Sequence, residues 1–126
     1  MNAIVAIAAG GAIGAVLRHG ANVSAVKLMG HGFPYGTLAV NVIGSFVMGL
    51  LIVTFAHYWQ PSETMRVFLV TGLLGAFTTF STFSLDFVTL WERQAYLHSA
   101  LYLSGSVILS IAALFAAMAL VKAFIS

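Results

Sequence analysis

Residues 71–87 read TGLLGAFTTFSTFSLDF, an apolar stretch that fills with hydroxyl side chains half way along. It opens as an ordinary membrane span and then brings in Thr78, Thr79, Ser81, Thr82 and Ser84, after Gly72 and Gly75. Glycine and β-branched threonine are weak helix formers, and hydroxyls can satisfy backbone groups that a broken helix sets free. The stretch therefore predicts a helix break near Gly75–Thr79. Unwound backbone at membrane depth survives only when buried in protein or facing a cavity, and its freed carbonyls suit a hard cation. A break placed there is expected to be functional.

The surrounding chain supplies the membrane. Hydrophobic residues make up 61% of 126 and charged residues 6%, against about a quarter charged in a soluble domain, so too few charges are present to cover a water-facing surface. Stretches free of Asp, Glu, Lys and Arg run Met1–Leu17, Leu28–Ser62, Val67–Leu85 and Gln94–Val121. Spanning the hydrocarbon takes about 20 residues, which places helices near 2–24, 36–58, 66–90 and 97–122 in a single transmembrane domain covering 1–126. Arg18 is expected near the far end of the first helix, snorkelling to headgroups. The first segment lacks a basic n-region and is expected to be a retained span rather than a cleaved leader. A net charge of +2, scattered along the chain, argues against nucleic acid. With no cysteine, disulfide scaffolds and thiolate chemistry are excluded.

Orientation is nearly undetermined by charge. One side of the membrane receives Arg66 and Lys122 with the N-terminus, the other Arg18, Lys27 and Arg93. Positive-inside bias is almost absent, which is the pattern expected of insertion both ways round and of an antiparallel homodimer. Four helices of this length cannot enclose an aqueous path alone. Asn41, Ser45 and Gly49 form one stripe at i, i+4, i+8, and Tyr102, Ser106 and Ser110 form another, with Ser99 a turn earlier. Such serines either bond back to their own helix carbonyls or line a polar track; spacing alone leaves both open. Phe80 and Phe83 lie three apart, each flanked by hydroxyl residues. They are either core rings or rings whose positive edges meet an anion without a trapping charge.

Three segments, GGAIGAVLRHG (10–20), GTLAVNVIGSF (36–46) and TGLLGAFTTFSTFS (71–84), resemble in order and spacing the signature segments of the Fluc, or CrcB, fluoride channels. The resemblance implies a dual-topology protein of the bacterial inner membrane. It implies an antiparallel homodimer with two pores that export fluoride passively and in preference to chloride. By that resemblance Asn41, Phe80 and Phe83 match pore residues, Ser81 and Thr82 pore or near-pore positions, and Tyr102, Ser106 and Ser110 a polar track. Gly75 and Thr78 match positions whose backbone carbonyls, from both subunits, bind a structural sodium ion. Arg18 and Thr37 match a vestibule or interface. Two positions depart from the pattern: Asp86, where glutamate is usual, and His19, where an aromatic is common.

The main rival is a small proton-coupled multidrug exporter, also four-helical and dimeric. It needs an acid in its first helix, and Met1–Leu17 holds none. A non-transporting assembly subunit would leave the hydroxyl-rich break unexplained. An enzyme is not expected: His19, His31, His57 and His98 sit at separate segment ends without metal-ligand spacing, and no Ser–His–Asp set can be assembled within the spans.

Overall fold

Local signals set the element ends in the computed structural model, which describes residues 2–125. Helix α1, Ala3–Met29, starts where the Asn2 side chain accepts the Val5 N–H, and ends at Gly30, whose φ of 80° suits glycine. Helix α2, Tyr35–His57, follows Pro34. The third span, Glu63–Glu92, is built in pieces. Ser62 caps a short α3, Glu63–Arg66; a π-helical stretch, Val67–Leu74, follows, and then α4, Gly75–Phe77. After a break the chain resumes as α5, Ser81–Glu92, and a turn with Gln94 at φ 62° leads into α6, Tyr96–Ile125.

Four helices are long and apolar enough to cross a membrane, and the side chains agree. Ile4 (79% exposed), Leu28 (82%) and Phe124 (77%) stand out from the surface, a distribution that water would penalise and lipid rewards. The protein is a multi-pass membrane protein.

Two helix pairs make the body, and glycines set how closely they approach. Helix α1 lies on the π-helical stretch: a Cβ on Gly14 would overlap the Leu73 carbonyl oxygen, and one on Gly72 would come within 2.7 Å of the Ile7 carbonyl oxygen. Helix α2 lies on α6, where a Cβ on Gly49 would sit 2.6 Å from the Leu114 carbonyl oxygen. Small residues at such crossings let backbones touch where hydrophobic driving force is absent. Phe83, Leu90 and Tyr102 form the buried cluster beneath α5 and α6.

Two sequence expectations change, and one feature is new. The break falls at Thr78–Phe80, because Gly75 keeps helical angles (φ −60°, ψ −37°) and Thr78 is the first residue to turn extended (φ −87°, ψ 159°). The π-helical stretch before it, where the Gly75 N–H reaches the Val70 carbonyl five residues back, has no counterpart in the hydropathy pattern. Arg18 does not lie at a helix end: α1 runs on to Met29, about 16 Å further at 1.5 Å per residue. Its guanidinium turns inward and donates to Thr82 Oγ1 at 3.4 Å.

Candidate functional site

The break is held by side chains rather than by backbone. Asn41 on α2 donates from Nδ2 to the Thr79 carbonyl at 3.0 Å and accepts the Thr79 N–H on Oδ1 at 2.8 Å. One planar amide thus satisfies both polar groups of one unwound residue. Thr79 Oγ1 accepts the Thr82 N–H at 3.1 Å and so caps α5. Beneath the break Gly44 leaves room for the Thr78 methyl, which a Cβ there would overlap.

This arrangement diverts the helical donors of two carbonyls, those of Gly75 and Thr78. A continuous helix would give the Thr79 N–H to Gly75 and the Thr82 N–H to Thr78; both donors are instead taken by Asn41 and Thr79 side chains. Neutral carbonyl oxygens of this kind fit a hard monovalent cation.

A cavity of about 430 Å³ opens beside the break, lined by Asn41, Ser45, Thr79, Phe80, Phe83, Ser106 and Ser110 together with apolar residues. None of its lining residues carries a formal charge. Ser106 Oγ and Ser110 Oγ are buried and have no hydrogen-bond partner among the described residues. Ser99, on the same helix face, bonds back to the Ala95 carbonyl at 3.0 Å, and Ser84 back to Phe80. The self-satisfied use of serine therefore holds for Ser99 and fails for Ser106 and Ser110. An unpaired buried hydroxyl costs about 1–3 kcal/mol, so two side by side point to something that is to be bonded there.

The rings are unequal. Phe80 and Phe83 meet at 5.5 Å between centroids with planes tilted 49°, yet Phe80 is 78% exposed and Phe83 only 7%. Phe83 packs in turn on Tyr102 at 5.2 Å, and Tyr102 edge-on to Phe33 at 5.5 Å. This ladder leads to a second cavity of about 210 Å³, lined by Asn22, His31, Thr37, Thr82 and Asp86 among others. Tyr102, fully buried, donates its hydroxyl to Asp86 Oδ2 at 3.1 Å.

The expected site residues thus divide. Asn41, Phe80, Phe83, Ser106, Ser110 and Thr78 gather on the first cavity. Thr37 and Thr82 belong to the second, with Arg18 bonded to Thr82. Tyr102 lies between them. Ser81 is exposed and lines neither, its hydroxyl 3.5 Å from that of Thr79. Sequence reasoning placed Thr79 in the expected break without giving it a role, and did not single out Gly44. The doubled threonine was the available signal for the first, and the spacing Asn41-x-x-Gly44 for the second.

Comparison with known proteins identifies the family. A family model described as CrcB-like protein, Camphor Resistance (CrcB), matches residues 5–118. A protein of Agrobacterium fabrum named fluoride-specific ion channel FluC is 54% identical over 117 residues, 93% of this chain and 94% of the relative. Proteins of the same name from Rhodospirillum centenum (48% identical, 97% of each chain) and Caulobacter vibrioides (49%, 94% of each) are similar over the same length. All three are named as channels, a class that is not enzymatic. By these matches the chain belongs to the CrcB family.

Proposed function

We propose that this protein is the subunit of a fluoride channel that works as an antiparallel homodimer in a bacterial inner membrane, letting fluoride leave the cell passively through two pores. The observation that carries the reading is the first cavity: two buried serine hydroxyls without partners among the described residues, an asparagine amide and two phenylalanine rings, and no charge on its lining. Asn41 has two amide protons, of which the Thr79 carbonyl takes one. The other, with the hydroxyls and the ring edges, offers an anion a set of weak donors. A fixed cation would hold fluoride and stop conduction, whereas neutral donors let it enter and leave. Curated relatives bearing the name of fluoride-specific channels support the choice of ion.

Two features support a second copy. Phe80 is largely exposed beside the cavity it lines, and the two carbonyls of Gly75 and Thr78 are too few to surround a cation from one subunit alone. On this reading those carbonyls, doubled in the dimer, hold a structural sodium ion, which would neutralise them and fix the two breaks side by side. Three cationic side chains against two across the membrane support insertion in both orientations.

The test is efflux from liposomes holding purified protein. Fluoride should leave without proton coupling while chloride stays; equal movement of the two ions would refute the reading. A C-terminal tag found on one face only would refute the dual topology.

A further inference from the structure

We infer that Thr79 is a positioning residue, and that it forms with Asn41 a latch that keeps the third span broken and so fixes the two phenylalanines. Thr79 is the one residue whose three polar groups are all engaged in the break. Its N–H and carbonyl pair with the Asn41 amide at 2.8 and 3.0 Å, and its hydroxyl accepts the Thr82 N–H at 3.1 Å. The amide pairs with Thr79 as a neighbouring strand would, exchanging two hydrogen bonds with one residue. An aspartate at 41 could accept from the Thr79 N–H but would set a charge against its carbonyl, and a leucine could do neither.

The hydroxyl does a separate job. By taking the Thr82 N–H it starts α5 at Ser81 and denies that donor to the Thr78 carbonyl. Phe80 follows Thr79 directly and Phe83 lies in the first turn of α5, so the cap fixes the rotation at which the two rings meet. Without it the Thr82 N–H is free to return to Thr78, as in an unbroken helix. The span would then close over the carbonyl and turn the rings together. The latch thus joins two features of the site that are otherwise unrelated, the freed carbonyls and the paired rings.

The experiment compares Thr79→Val, which keeps the shape and removes the acceptor, with Thr79→Ser, which keeps the acceptor and removes the methyl. Thr89→Val is the control, because that hydroxyl only bonds back to Leu85 on the same helix. Three readouts are taken on full-length protein: fluoride efflux from liposomes, the sodium dependence of dimer melting in detergent, and hydrogen exchange of the Thr82 amide. Thr79→Val should lower efflux about five- to tenfold, the worth of one helix cap, weaken the sodium response and alter Thr82 exchange. Thr79→Ser should restore all three, and Thr89→Val should leave them unchanged. The efflux arm rests on the reading of the first cavity as the fluoride pathway. If the wild type moves no fluoride, that reading fails, and the latch is judged on Thr82 exchange alone. Exchange unchanged in Thr79→Val, or Thr79→Ser as defective as Thr79→Val, would overturn the latch.

Discussion

Replacing Ser106 by alanine should make the protein more stable and a poorer channel, and the two signs together are the diagnostic. Ser106 is 5% exposed, and its Oγ is buried without a partner among the described residues. A hydroxyl in that state costs about 1–3 kcal/mol, whereas a hydroxyl that is bonded contributes about 1 kcal/mol. Ser106→Ala should therefore raise stability by about 1 kcal/mol. A hydrogen bond to a charged group contributes about 1.5–3 kcal/mol. If Ser106 donates to fluoride in passage, its loss slows transport about ten- to a hundredfold, at about 1.4 kcal/mol per factor of ten. Ser99 supplies the internal control: 1% exposed and on the same face, but bonded to the Ala95 carbonyl. Ser99→Ala should lose about 0.5–1 kcal/mol and leave transport alone. Thermal melting in detergent and fluoride-electrode efflux measure the two quantities on the same preparations. A Ser106→Ala protein that melts lower and conducts as the wild type would refute the reasoning, since it would make Ser106 one more self-contained membrane serine.

Phe80→Ile should abolish fluoride efflux while the dimer persists in size-exclusion chromatography; loss of the dimer instead would return Phe80 to a packing role. Gly14→Val should prevent folding, since its side chain would overlap the Leu73 carbonyl of the π-helical stretch, a cost above about 3 kcal/mol for overpacking against backbone. Gly20→Ala, with nothing within 4 Å, should be neutral, and a folded Gly14→Val would disprove the close approach. Tyr102→Phe removes the donor to Asp86 and should cost about 1.5–3 kcal/mol, the range for bonds to charged groups. Adding Asp86→Asn should recover part of that loss in a double-mutant cycle, and strictly additive losses would show that the two side chains act apart.

Much of this was legible in residues 71–87, and the rest was hidden for a physical reason. Hydropathy shows how many spans there are, and a run of hydroxyls after two glycines shows which one breaks. It does not show where, because that depends on which side chain captures the freed N–H groups, and Asn41 lies 38 residues away in the chain. The π-helical stretch is invisible for a similar reason. VFLVTGLL is apolar but for Thr71, so a change from four- to five-residue hydrogen bonding leaves no mark on its period. Arg18 lies well inside α1 because charge spacing does not mark where a helix stops: α1 ends only at Gly30, where a residue with positive φ is required. Ser99 and Ser106 illustrate the limit best. Both lie on one stripe, and only what stands opposite each decides that one bonds to its own helix and the other waits for a partner.

The broken span has consequences on both of its faces, and they are not independent. Toward α2, Asn41 and Thr79 side chains consume the two N–H groups that would have covered Gly75 and Thr78, so the two bonds that capture these donors each also expose a carbonyl. Toward the cavity, the same cap turns Phe80 outward and Phe83 inward. Carbonyls without donors are costly at membrane depth, and a phenylalanine left exposed beside uncharged donors gains nothing from the subunit alone. A single cation shared with a second copy would offset the first cost, and the second copy's own surface would cover the ring. On the proposed reading, assembly and ion passage therefore depend on the same few residues. Variants at Thr79 or Asn41 should then weaken both together, while variants at Ser106 weaken passage alone.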